Sequence, residues 1–212
     1  MNIISHRGYW KLNHEKNTEI AFRRSFELDY GTETDVRDLD GELVVSHDIP
    51  TTRNRNMKLS RLFEIYNESS CKKILALNIK SDGLQVGLKK LLEEYSITNY
   101  FIFDMAVPDA IISLKERLVC YTRHSEYEPV PSFYQSASGV WLDEFYEDWI
   151  TLEVLEDHLS QNKPICIVSP ELHRRDPLKK WQQYKRLNKD HDLSNVTLCT
   201  DFPEKAAEFI NG

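Results

Sequence analysis

The chain has 212 residues, and a chain of this size buries about 70% of its extended surface on folding, enough for a core without disulfides or structural metal. Hydrophobic content of 41% and charged content of 29% exclude a disordered or fibrous chain. A net charge of −7 argues against duplex nucleic acid as a partner, because polyphosphate attracts basic surfaces.

The opening MNIISHRG has neither the basic start nor the apolar stretch of a signal peptide, and no apolar run approaches the ~20 residues of a membrane span. The expectation is a cytoplasmic protein without a membrane span, built as one domain over residues 1–212. Short β-branched or aromatic runs then alternate with amphipathic stretches along the whole chain. A strand at 2–5 precedes a helix at 18–30, in which Ile20, Ala21, Phe22, Phe26 and Leu28 form a one-sided apolar stripe. Asn17 or Thr18 is read as its cap and Gly31 as its end. Strands at 32–37 and 42–46 flank Asp40-Gly41, a hairpin turn signal. Helix 60–69 leads to strand 74–79, helix 84–95 to strand 100–103, and helix 108–117 to strand 118–122. The segment 126–135, with two prolines, reads equally as helix or loop. Strand 139–142, helix 152–161, strand 165–168, helix 177–188, strand 196–199 and helix 204–210 complete the chain. Cys120, Cys166 and Cys199 lie in short apolar runs and read as buried, and no C-x-x-C spacing suggests zinc or redox chemistry.

This alternation predicts an α/β fold, a short (β/α)8 TIM barrel with a β-hairpin insertion after the second strand, in preference to an open doubly wound sheet. Each parallel strand ends in polar or ionisable residues: His6-Arg7, Glu33 with Asp35, Asn78 with Lys80, Asp104, Arg123-His124, Asp143-Glu144, Ser169 with Glu171, and Thr200-Asp201. A barrel gathers all such ends around one mouth.

The first 48 residues carry the chemistry. Residues i and i+2 of a strand share a face, so Glu33 and Asp35 aim two carboxylates to one side while Thr34 and Val36 face the other. Oxygen donors presented in this way suit Mg²⁺ or Ca²⁺. His6 and His47 flank the pair, and imidazole is the side chain best poised for proton transfer near neutral pH.

The set His6-Arg7-Gly8, Asn17-Thr18, Ala21-Phe22, Glu33-x-Asp35-Val36, Asp40-Gly41, Val44-Val45 and His47-Asp48 resembles the signature of the glycerophosphodiester phosphodiesterase family. The resemblance continues through Asn78-Ile79-Lys80 and closes in Thr200-Asp201-Phe202-Pro203. It is similar, more distantly, to phosphatidylinositol-specific phospholipases C and sphingomyelinase D enzymes. It implies a barrel and metal-assisted cleavage of a small phosphodiester, with His6 and His47 as the acid–base pair. Arg7 and Lys80 would hold the phosphate, and Glu33 and Asp35 would hold a divalent cation, with Asn78 as third ligand. The family carries Glu at the position of Asn78, and an amide brings no charge, so cation affinity should fall. Asp143 and Glu171 are the candidates to replace that charge. The stretch Ile167-Val168-Ser169-Pro170-Glu171-Leu172-His173 also departs from the family's Trp-Thr-Val-Asn, altering a pocket wall.

Three further features are of interest. Arg53, Arg55 and Lys58 form a basic loop, Trp141, Phe145, Tyr146 and Trp149 an aromatic group, and His173-Arg174-Arg175 a second cationic cluster. The rival readings are a non-catalytic barrel that binds a phosphorylated ligand, favoured by Asn78, and a sugar-phosphate isomerase or aldolase using Lys80 as a Schiff-base lysine. The second lacks a glycine-rich phosphate loop after the last two strands.

Overall fold

The computed structural model describes residues 1–52 and 56–212. The chain divides into two compact units: an N-terminal unit, His6–Cys120, and a C-terminal unit made of Tyr121–Gly212 together with Met1–Ser5.

Strand β1 (Asn2–His6) delivers His6 at its C-terminal end. In the N-terminal unit, helix α1 (Glu19–Glu27) buries Ala21, Phe22 and Phe26. The apolar stripe is narrower than its spacing suggested, since Ile20 and Leu28 are 52% and 45% exposed. Thr18 is the cap residue, though its side chain makes no capping bond. The helix also stops before Gly31: Asp29 turns left-handed at φ 57, and Gly31 is the first residue of β2. Asp and Asn tolerate that region better than other side chains, so a glycine is not needed there.

Strand β2 (Gly31–Leu39) pairs antiparallel with β3 (Glu42–Val45) through Asp40 and Gly41, both at positive φ as a tight hairpin turn requires. A two-residue strand β4 (Met57–Lys58) adds to β3, with Lys58 Nζ 2.9 Å from Glu42 Oε2. The expected basic loop falls partly on Arg53 and Arg55, which lie outside the described residues. Helix α2 (Leu59–Glu68) leads to β5 (Leu75–Ile79), and α3 (Gln85–Glu94) to β6 (Tyr100–Phe103), followed by α4 (Val107–Lys115). β2 runs parallel to β5 and β5 to β6. The register sets Asp35 opposite Asn78, which is what makes the site of this unit.

In the C-terminal unit the strands are β7 (Tyr121–Ser125), β8 (Gly139–Asp143), β9 (Ile165–Val168) and β10 (Val196–Thr200). They pair in parallel, in that order, and residues 2–5 of β1 join β10. Helices α5 (Leu152–Ser160), α6 (Leu178–Asp190) and α7 (Pro203–Asn211) are the connections and the C-terminal element. β7 begins three residues later than its apolar run suggested, and 126–135 is turn and loop, not helix. All four cysteines are buried and none forms a disulfide.

Three side chains of this unit form a relay. Tyr134 Oη lies 2.8 Å from His158 Nδ1, and His158 Nε2 lies 3.0 Å from His124 Nδ1. Burial, then the neighbouring His124, push His158 down to about 4. The unfolded chain therefore binds more protons than the folded one between pH 6.5 and 4, and stability is lost as pH falls through that window. The thermal midpoint should drop by several degrees more in wild type than in His158→Gln over that range; parallel profiles would contradict this.

Candidate active site

The turn after β1 is shaped by backbone geometry that few residues adopt. Arg7 and Gly8 are at φ 58 and 78. A Cβ at Gly8 would come within 2.7 Å of Ala21 Cβ, so this turn needs glycine to lie against α1. Gly8 N–H donates to Thr32 Oγ1 at 3.0 Å, and Arg7 N–H donates to Glu33 O at 3.0 Å and Glu33 Oε2 at 3.3 Å. These bonds hold His6 and Arg7 against the strand that carries the two carboxylates.

Glu33 and Asp35 are 2% and 0% exposed. Asp35 Oδ2 lies 3.0 Å from Arg7 Nε and accepts from Asn17 Nδ2 at 2.8 Å. Its other oxygen, Oδ1, has the Lys80 ammonium 3.5 Å away. Lys80 extends the β2–β5 ladder by donating its N–H to Val36 O at 3.0 Å, and its ammonium also lies 3.9 Å from Asp104 Oδ2. Glu33 Oε2 is 3.8 Å from His6 Nε2. Burial and the Asp35 charge push the Glu33 carboxyl well above the usual carboxylate range, against the pull of Arg7 and Lys80.

His47 reaches this neighbourhood along the hairpin. Ser46 N–H donates to Asp35 O at 3.0 Å, and Arg37 Nε donates to His47 O at 3.1 Å. The half-exposed imidazole has Nδ1 2.8 Å from Asp48 Oδ1, so the contact with Asp48 is made by Nδ1 and not by Nε2. The His47 hydrogen bond holds the Asp48 carboxyl below its ordinary range, with Arg7 and Arg37 adding to the effect. His6, Arg7, Glu33, Asp35 and Lys80 thus form one contact network; Asn78 joins it by strand register and His47 through the backbone of its hairpin.

The donor set fits a hard divalent cation. Among the described residues, Asp35 Oδ1 and Asn78 Oδ1 are buried oxygens with no hydrogen-bond partner, on paired residues of adjacent strands. Such oxygens are costly unless a ligand satisfies them. No three His, Cys, Asp or Glu side chains gather into a metal-holding group among the described residues, so the set here is two carboxylates and one amide.

Asp143 and Glu171 belong to the other unit, where each has partners of its own. Asp143 Oδ1 lies 2.5 Å from His173 Nε2, and Arg123 Nη1 is 3.9 Å from Oδ2. Glu171 accepts from Ser169 Oγ and Thr200 Oγ1 at 2.5 Å and from Asp201 N–H at 3.1 Å. The aromatic group divides: Trp141 is buried in β8, Trp149 packs with a tilted ring against His124 at 4.5 Å between centroids, and Phe145 and Tyr146 cluster with Tyr127. His173 packs with a tilted ring against Phe145, and Arg175 is paired with Asp148.

Two residues touch the site in ways that their local sequence pattern does not imply. Asn17, one of two candidate caps of α1 and a member of the resembling motif set, bonds Asp35 through its side chain. Asp104, a polar strand end in the sequence pattern, stands beside the Lys80 ammonium.

Neither family models nor curated proteins match the sequence. Solved structures do match it in fold. A candidate glycerophosphodiester phosphodiesterase from Galdieria sulphuraria superposes with a TM-score of 0.77 at 18% identity, over 100% of this chain and 98% of that one. A glycerophosphoryl diester phosphodiesterase from Parabacteroides distasonis gives 0.70 at 16% identity, over 99% and 86%. A glycerophosphodiester phosphodiesterase from Agrobacterium tumefaciens gives 0.67 at 15%, over 98% and 99%. The chain therefore has the fold of the glycerophosphodiester phosphodiesterases, the (β/α)8 class expected from its strand–helix alternation. A GH113 β-1,4-mannanase also matches, at 0.56 and 12% identity. Activity must accordingly be argued from the site and not from the fold.

Proposed function

We propose that this protein is a metal-dependent phosphoric diester hydrolase acting on a glycerophosphodiester or similar head-group diester. The observation that carries this reading is the network of His6, Arg7, Glu33, Asp35 and Lys80 at adjoining strand ends, with Asn78 in register. Three solved structures of the same fold bear the glycerophosphodiester phosphodiesterase name, which agrees with it.

A phosphodiester is anionic, and attack on it builds more charge on the non-bridging oxygens. Arg7 can meet that charge bidentately and Lys80 as a point charge. Glu33, Asp35 and Asn78 would hold Mg²⁺ or Ca²⁺, whose charge stabilises the same oxygens when it is bound. His6 takes the proton from the attacking oxygen. His47, oriented through Nδ1 by Asp48, gives a proton from Nε2 to the departing alcohol. Where the substrate has a hydroxyl beside the phosphoester, that hydroxyl attacks, one P–O bond forms as the ester P–O bond breaks, and the products are a cyclic phosphate and an alcohol. Water then opens the ring with the two imidazoles exchanging roles.

The test is ³¹P NMR of glycerophosphodiesters incubated with the protein and Mg²⁺, Ca²⁺ or Mn²⁺. Conversion to a monoester or cyclic phosphate, stopped by EDTA and restored by the cation, is the expected result. Binding of the diester without turnover under every cation would leave a phospho-ligand-binding module, the reading that uncharged Asn78 favours.

A further inference from the structure

Asn17 is placed where three segments of the site meet. It lies between a 3₁₀ turn at Asn13–Glu15 and α1, in the left-handed region at φ 59. Its N–H donates to Arg7 O at 2.9 Å, which fixes the turn carrying Arg7. Its side-chain Nδ2 donates to Asp35 Oδ2 at 2.8 Å, and its Oδ1 accepts from Thr34 Oγ1 at 2.9 Å. The orientation of the amide follows from chemistry: a carboxylate only accepts, so the nitrogen must face Asp35.

Residue type matters here for two separate reasons. The left-handed backbone suits glycine, asparagine and aspartate. Of these, only asparagine supplies a donor toward Asp35 and an acceptor toward Thr34 from one planar group. With Oδ2 held by Asn17 and faced by Arg7, the carboxylate plane of Asp35 is set. Its Oδ1 is left without a hydrogen bond, near the Lys80 ammonium and beside Asn78 on the paired strand.

We infer that Asn17 is a positioning residue, which aims Asp35 Oδ1 for catalysis by holding Asp35 Oδ2 and the Arg7 turn at once. This rests on the phosphodiesterase reading. Two variants separate positioning from simple support of the turn. Asn17→Asp keeps the shape, the left-handed tolerance and the acceptor for Thr34, and replaces the donor facing Asp35 with a charged acceptor that repels it. Asn17→Gly keeps the backbone and removes both side-chain bonds.

Steady-state kinetics on a glycerophosphodiester, with thermal melts of each variant, form the experiment. Both variants should lose roughly 10–100-fold in kcat, as disturbed support around a ligand residue does, with KM within about threefold of wild type and a cooperative melt retained. Wild-type kcat in Asn17→Asp, a defect confined to KM, or loss of the folded state in both variants would each overturn the inference while wild type remains active. An inert wild type would instead remove the phosphodiesterase reading, and this inference with it.

Discussion

His6→Ala should lower kcat on a glycerophosphodiester by about 10²–10⁴-fold, and His47→Ala should do the same, because each removes one proton transfer from the displacement. The two losses should part company when the leaving group changes. An alkyl alcohol needs a proton as it departs, whereas p-nitrophenolate leaves readily without one. On a p-nitrophenyl diester the His47→Ala defect should therefore shrink, while the His6→Ala defect persists because the nucleophile still needs a base. The structure gives the two imidazoles different surroundings: His6 is mostly covered and 3.8 Å from a buried carboxylate, while His47 is half exposed and paired with Asp48. Near-wild-type rates in both variants would contradict the acid–base assignment. The same leaving-group response in both would contradict the division of roles.

The second large effect concerns the cation. Asn78→Glu should raise affinity for Ca²⁺ or Mg²⁺ by at least about tenfold, since carboxylate count sets the strength of oxygen-ligand sites. The side chain at 78 is 8% exposed and lies opposite Asp35, whose neighbour on the same face is Glu33. Three carboxylates in so little space repel one another when no cation is present. The substitution should thus lower the thermal midpoint in EDTA and raise it when Ca²⁺ is added. Calorimetric titration and paired melts measure both halves. Unchanged affinity would mean that position 78 does not face the cation.

Much of the fold was legible because local rules governed it. Period-2 alternation in β2 places Glu33 and Asp35 on one face, and the Asp35 charge acts on the buried Glu33 carboxyl. Asp40-Gly41 makes the expected turn because it needs two residues at positive φ, a requirement written in residue type. What escaped reading depended on partners far along the chain. Asn17 has the composition of a cap, but a side chain can serve either its own helix or a distant strand, and here a carboxylate eighteen residues away wins. Asp104 stands beside Lys80 because β5 and β6 pair, which no local pattern announces. Gly31 looked like a helix stop, yet Asp29 supplies the left-handed turn by itself. The two-residue β4 is too short to leave a periodic signal. Ile20 and Leu28 fit the apolar stripe of α1 by composition while remaining largely exposed.

Everything in the proposed chemistry depends on a cation seated between β2 and β5. A crystal soaked with Mn²⁺ and glycerol 3-phosphate, with anomalous scattering recorded for the metal, measures this directly. The expected result is a peak about 2.0–2.6 Å from oxygens of Glu33, Asp35 and Asn78, with phosphate oxygens reaching it and contacting Arg7 and Lys80. Phosphate bound by Arg7 and Lys80 with no metal beside those three side chains, or a metal held elsewhere, would contradict it.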